Sequence, residues 1–387
     1  METIQFSQLS AAFEGCFGAP PRLFRSPGRI NLIGEHTDYN EGYVLPAAIG
    51  RYVYVAMAPR DDGLIRLRSM DFPEAYEGHV DNLAVCDISW ANYVLGILHG
   101  MQARGLSCRG FDAFFAADLP VGAGLSSSAA LCCAAAFGLN ALFDWPLHRL
   151  EMAELAQGAE HRYAGVLCGI MDPFASLFGR EGHFIRLDCR SRAHTYIPFL
   201  TEHYQLTLLN TNVKHHLASS AYNQRRQECA QGLAWIQAHM PAASSLREVT
   251  MEMIDRYVAV RDETTARRCR YVVAENQRLL QLCEDLQRGD LAAAGAKMYE
   301  THAGLSQQYE VSCPEADFLV SHAQTAPAVL GARMMGGGFG GCILALVARE
   351  KAAAWEQDLG NRYEDAFGKT LSTLSVHPAD GTSEMLI

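Results

Sequence analysis

Hydrophobic and polar positions alternate along several stretches of the chain, and their period changes from one stretch to the next. From Arg51 to Ala58 the run RYVYVAMA is rich in β-branched and aromatic residues and repeats every second position, as does LIRLRSM shortly after it. That pattern predicts two strands, with Asp61-Asp62-Gly63 as a hairpin-type turn between them. FDAFFAADLP alternates again before a glycine-rich turn. SSSAALCCAAAFGLNALF then runs almost wholly apolar or small, which predicts a helix buried on most of its circumference. After His203, YQLTLLNTNV reads as a central strand and SAYNQRRQECAQGLAWIQAHM as an amphipathic helix stopped by Pro241. Helical patterns follow over residues 264–288 and 290–307. In GARMMGGGFGGCILALVA a glycine loop leads into an apolar strand, and REKAAAWEQDLGNRYEDAF closes the series as a helix. A boundary near residue 205 divides the chain into 1–205 and 206–387, each of ordinary domain size.

The composition narrows the function. Of 387 residues 49% are hydrophobic and 19% charged, which is globular, and 43 acidic against 32 basic residues leave a net charge of −11. Such a chain lacks the field that would hold a nucleic-acid backbone, so any phosphate is bound locally. The 12 cysteines scatter without a C-x-x-C pair, arguing against a zinc site or a secreted disulfide framework. No basic, apolar leader opens the chain, and no run approaches the ~18 apolar residues of a membrane span. These features favour free thiols in a reducing cytoplasm and no membrane or nucleic-acid partner.

Three segments carry candidate chemistry. In LPVGAGLSSS, Leu119 to Ser128, glycines admit close backbone approach and three serines stand where a helix begins. Amide donors and the positive helix end favour a phosphate there, although one serine also suffices to cap a buried helix. The Walker pattern is absent, since Tyr363 stands where Gly368-Lys369-Thr370 would need a glycine. Gly336, Gly338 and Gly341 fit G-x-G-x-x-G, but CILALVA follows as a strand where a dinucleotide site needs a helix. SPGRINLIGEHTDYNEGYVLP gathers Arg29, Glu35, His36 and Asp38 within ten residues. That set offers the donors and acceptors a polyol pocket needs, and its plain alternative is a strand followed by a solvated loop. Third, Asp172 precedes Pro173, where it would cap a helix beginning at the proline, and Glu160 reads as one acid on a polar helix face. His215-His216 has no metal partner at useful spacing, and G-x-S-x-G is absent.

In chain order these segments resemble the three motifs of the GHMP small-molecule kinases. SPGRINLIGEHTDYNEGYVLP is similar to the galactokinase signature of that family, LPVGAGLSSSAAL to its phosphate loop, and GARMMGGGFGGCI to its third, glycine-rich motif. The resemblance implies an α+β, two-domain GHMP kinase fold, with a ribosomal protein S5 domain 2-like domain over 1–205, a ferredoxin-like domain over 206–387 and the active site between them. It implies transfer of the ATP γ-phosphoryl group to the 1-hydroxyl of α-D-galactose, with Mg2+, in a cytoplasmic enzyme expected to be a monomer. Glu35, His36, Thr37, Asp38, Gly169 and Tyr222 would then meet the sugar. Gly122, Ala123, Gly124, Leu125, Ser126, Ser127 and Ser128 would cradle the triphosphate, with Ser69 and Trp90 near the nucleotide. Ser128 and Glu160 would hold magnesium, an oxygen-only set suited to that cation. Asp172 matches the catalytic aspartate and Arg29 the arginine beside it, the aspartate accepting the sugar proton or acting electrostatically.

Three departures from the family pattern bear on affinity more than on the reaction. Pro173 replaces a usual glutamine, Met335 a usual threonine, and Ala221 a common glutamate. Two other functions are weighed: a kinase of a related sugar such as N-acetylgalactosamine or arabinose, and a sensor that binds galactose and ATP without turnover. The EHTDYN string argues against the first, and the intact SSSAA, Glu160 and Asp172 against the second.

Overall fold

The computed structural model describes residues 6–120, 124–199, 201–213 and 218–385. Gly122, Ala123 and the His215-His216 pair lie outside the described residues. The larger sheet has six strands in the order Ser383–Met385, Arg22–Asn31, Pro46–Arg60, Gly110–Ala117, Leu64–Ser69 and Tyr76–His79. Period-two alternation in Pro46–Arg60 has the expected result. Val53, Val55 and Met57 enter one core with Ala130, Ala134 and Leu139 of the helix Ser127–Leu142, while Tyr54, Ala56 and Ala58 meet Leu9 and Phe13 of the helix Phe6–Phe17 on the other face.

The hairpin expected around Asp61-Asp62-Gly63 does not form. Gly110–Ala117 lies between the two predicted partners, antiparallel to Pro46–Arg60 and parallel to Leu64–Ser69. The short connection crosses the end of the intervening strand at Gly110, where a Cβ would stand 2.5 Å from the Leu64 carbonyl oxygen. Only glycine leaves room for that crossing.

The second sheet is antiparallel, ordered Val329–Met334, Cys342–Ala348, Tyr204–Asn210 and Ser372–Val376. Numbered along the chain this is 2-3-1-4, the ferredoxin-like order, and Tyr204–Asn210 is central as its sequence predicts. The Val329–Met334 strand, not expected from the sequence, precedes the glycine loop and pairs back across it, with Met334 opposite Ile343. A boundary at 205 falls one residue inside the strand that starts at Tyr204. The tail also returns to the first half, where Ser383–Met385 pairs with Arg22–Asn31 and Thr382 hydrogen-bonds Ser26 and the Ser176 carbonyl. Three residues are too few for a periodic signal.

One helix ties the halves together. Glu263–Gln287 gives Ala266, Cys269 and Val272 to the core of the second half, and Leu279, Leu282 and Leu286 to the core of the first. Its middle therefore reaches the junction of the two sheets. All twelve cysteines are unpaired. Among the described residues no helix is long and apolar enough to cross a membrane.

Candidate active site

The strand Arg22–Asn31 changes register between Pro27 and Arg29, and this irregularity turns Arg29 toward the start of the helix Met171–Phe178. There Arg29 Nε and Nη2 donate to the two oxygens of Asp172 at 2.7 and 2.9 Å, a bidentate pair. Its Nη1 donates to the Gly124 carbonyl at 2.6 Å and its main-chain N–H to the Leu125 carbonyl at 3.1 Å. Burial opposes the Arg29 charge, but Asp172 and Glu35 hold its pKa above the ordinary value. The capping expectation fails for Asp172. Ile170 is the N-cap and Pro173 the third helical residue, because the carboxylate is drawn out of the helix toward Arg29.

Ser126 does not act as a simple cap either. It sits at the N-terminus of Ser127–Leu142 with φ of 58°, makes no side-chain cap bond, and turns its hydroxyl to Asp172. A non-glycine residue held in that region is a strained one. Gly124, Leu125, Ser126, Arg29 and Asp172 thus form one hydrogen-bonded unit, with Ser127 and Ser128 as the first two helical residues behind it.

Residues 34–42 fold back on themselves, Gly42 N–H donating to the Thr37 carbonyl at 2.8 Å. Glu35 is buried, accepting from Arg333 and from the Gly336 N–H at 2.9 Å. His36 Nδ1 lies 2.7 Å from the Tyr39 hydroxyl, and burial pushes the imidazole down to about 3, so it is neutral. Asp38 faces Gly169, where a Cβ would collide with the Asp38 carboxylate, so any larger residue there would have to displace it. Burial, then the neighbouring Asp172 charge, pushes the Asp38 carboxyl up to about 7. Tyr222, on the helix Ala218–Gln237, brings its ring within 5.2 Å of His36.

Glu160 opens the π-turn Glu160–Ala164 and is buried, not on a solvated helix face. It hydrogen-bonds Ser128, accepts the Cys168 thiol at 2.9 Å, and has its pKa raised by burial. These groups surround a cavity of about 300 Å3 lined by Arg29, Glu35, His36, Asp38, Ser128, Glu160, Gly169, Asp172 and Tyr222.

Other candidates lie elsewhere. Thr37 is fully buried and spends its hydroxyl on the Gly34 and Tyr43 carbonyls, so it shapes the loop instead of lining the cavity. Leu125 borders a separate cavity. Trp90 and Ser69 meet around Phe115, away from the main cavity: Trp90 packs edge-on to that ring and near-parallel to the half-exposed Phe72, while Ser69 pairs with Phe115 across the sheet.

Several residues escaped the sequence reading. Cys168 also lines the cavity, beside Gly337 and Gly338 of the glycine-rich third motif already singled out. Fully buried Glu275, at the middle of the bridging helix, accepts the Gly34 N–H at 2.7 Å, and Asn276 accepts from Tyr43 N–H at 2.8 Å. Arg333 was the one with a signal, a lone charge in an apolar strand.

Residues 11–59 match the galactokinase galactose-binding signature, 92–180 the GHMP kinases N-terminal domain, and 282–364 the GHMP kinases C-terminal model. The chain is 38% identical over 380 residues to a galactokinase of Roseiflexus sp. (strain RS-1), covering 98% of this chain and 97% of that one. To a galactokinase of Chloroflexus aggregans it is 40% identical over 382 residues, with the same coverage. The structure of Lactococcus lactis galactokinase complexed with galactose superposes with a TM-score of 0.94 at 36% identity, covering 98% of this chain and 99% of that one. The Methanococcus jannaschii mevalonate kinase, at 15% identity, 94% and 99% coverage and a TM-score of 0.63, shares the fold.

Proposed function

Since the chain belongs to the galactokinase family of GHMP kinases, and so is an ATP-dependent sugar kinase, we propose that the 300 Å3 cavity is where the ATP γ-phosphoryl group passes to the 1-hydroxyl of α-D-galactose. The observation that carries this is the Arg29–Asp172 pair, joined through Gly124 and Ser126 to the phosphate loop on one side and facing Asp38 and Gly169 on the other. Phosphoryl transfer through a loose transition state asks chiefly for positioning and charge stabilisation. Asp172 is the acceptor for the sugar hydroxyl proton, and the Arg29 guanidinium offsets charge on the phosphoryl oxygens. Glu35, His36, Asp38 and Tyr222 orient the sugar.

Ser128 and Glu160 are adjacent oxygen donors at the cavity wall, the chemistry Mg2+ prefers. Among the described residues no three His, Cys, Asp or Glu side chains converge as a metal cage. One carboxylate, one hydroxyl and substrate phosphates fit that cation's habits. When bound, magnesium neutralises phosphate charge.

Galactose-dependent ADP release, followed in a coupled assay across a magnesium titration, tests the proposal. Wild-type protein is expected to turn over only with sugar and metal together, and Glu160→Gln to need more magnesium at little cost in galactose KM. ATP turnover independent of added sugar would overturn the assignment.

Acidity supplies a second test. With Asp38 near 7 in the free protein, its carboxylate, which accepts sugar hydroxyls, is about one-tenth populated at pH 6 and about nine-tenths at pH 8. Galactose KM is therefore expected to rise about tenfold on going from pH 8 to 6, and Asp38→Asn to flatten the profile. A KM for wild-type protein that ignores pH would remove Asp38 from the sugar contacts. In the free protein the sign for stability is opposite. A raised carboxyl pKa favours the folded state at low pH, and that contribution is lost as pH climbs through about 7.

A further inference from the structure

From His36 a file of hydrogen bonds runs away from the cavity. Its Nδ1 lies 2.7 Å from the Tyr39 hydroxyl, which lies 2.9 Å from the Tyr309 hydroxyl, and the Cys229 thiol stands 3.1 Å beyond. The groups come from three separate parts of the chain: the 34–42 loop, the end of the turn after the helix Leu291–Ala303, and the helix Ala218–Gln237. His36, Tyr309 and Cys229 are buried, and at the far end the Asn40 side chain also hydrogen-bonds the Cys229 sulfur. At the other edge of the ring Nε2 is buried and has no hydrogen bond of normal geometry among the described residues, while His36 as a residue lines the cavity. The Gly337 main chain lies near enough to favour a proton there without completing such a bond.

A neutral imidazole has one N–H, and each phenol has one proton to give. Every bond in the file must therefore point the same way. Either Nδ1–H donates outward and leaves Nε2 bare, or the thiol donates to Tyr309, Tyr309 to Tyr39, and Tyr39 to a bare Nδ1. The Gly337 main chain selects the second arrangement, because an acceptor beside the ring favours the proton on the edge away from Tyr39. The bond partner of one ring nitrogen sets the tautomer of the other. The backbone of His36 is itself held at φ of 63°, an uncommon conformation for a side-chain-bearing residue that the Asn40 side chain secures by donating to the His36 carbonyl.

We infer that Tyr39, Tyr309 and Cys229 are positioning residues that lock His36 in its Nε2–H form, making its one free ring atom a donor to an acceptor oxygen of the bound sugar. The inference rests on the assignment of His36 to the sugar site. It is tested on full-length protein carrying 15N-labelled histidine, with the His36 ring signals identified by their loss in His36→Gln. The wild-type spectrum is expected to show a protonated Nε2 and a bare Nδ1, both moving on addition of galactose. Tyr309→Phe keeps the ring but removes the proton passed to Tyr39. It is expected to mix the tautomers and raise galactose KM about tenfold, with kcat and ATP KM little changed. Cys229→Ala should drift the same way, and Cys229→Ser, which restores a donor, should not. Tautomer and galactose KM unaltered in Tyr309→Phe would overturn the relay alone. Ring signals that ignore saturating galactose would withdraw His36 from the sugar site, and the relay's role with it.

Discussion

Asp172→Asn is expected to lower kcat about 10³-fold, within the range of removing a catalytic acid–base group or a preorganised transition-state contact. The substitution keeps the size of the side chain but not its symmetry. Arg29 presents two N–H groups to two carboxylate oxygens, and an amide offers one oxygen and sets its own N–H against the other. Arg29 then lies buried with one amide oxygen and the Gly124 carbonyl as its close acceptors. Breaking a fully buried pair costs roughly 3–5 kcal/mol, but the Asp172 side chain is 23% exposed. A loss nearer ~2 kcal/mol is therefore expected, and the protein should still fold. Single-turnover rates and urea midpoints on the same preparations separate the effect on chemistry from the effect on stability. Ser126→Ala removes one bond to Asp172 and no charge, and should cost about tenfold in kcat. Wild-type turnover in a folded Asp172→Asn would take Asp172 out of the reaction.

The same pair marks where sequence is legible and where it is not. Local period finds strands and helices because it records which face is buried. It does not record which strand lies alongside, so RYVYVAMA and LIRLRSM are correctly extended and wrongly neighboured, with Gly110–Ala117 inserted between them. Likewise an Asp before a Pro looks the same whether its carboxylate caps a helix or leaves it for an arginine 143 residues away. The candidate residues from Glu35 to Asp38 were visible because they are contiguous and chemically dense. Thr37 shared that density yet faces inward, since a tight loop needs its own carbonyls satisfied. Glu275 was invisible for the converse reason. One carboxylate within a helix that crosses from one core to the other gives no sign that it holds the Gly34 amide, 241 residues away.

Arg333→Met is expected to lower stability by about 3–5 kcal/mol, the cost of orphaning a buried charge. The guanidinium is wholly buried. It donates to the Met334 carbonyl at 2.6 Å, to the Asn31 and Leu32 carbonyls at 3.1 Å each, and to the Glu35 carboxylate. Methionine replaces much of the stem and supplies no donor, so three carbonyls and a buried carboxylate lose a partner at once. Glu35 keeps the Gly336 N–H, which cannot supply a counter-charge. Arg333→Lys should recover only part of the loss, because a single ammonium does not reproduce the planar fork. The decisive comparison is Glu35→Gln combined with Arg333→Met. If Arg333 serves mainly to neutralise Glu35, the double variant is more stable than the sum of the single losses predicts, since the second change removes the orphaned charge. Urea midpoints for the four proteins measure that coupling. Additive losses would mean that Arg333 acts through the carbonyls of Asn31, Leu32 and Met334 alone, and a wild-type midpoint for Arg333→Met would exclude both roles. The coupled outcome carries a functional corollary: Glu35 is anchored on the second sheet, so loosening that anchor should raise galactose KM even at urea concentrations where the variant remains folded.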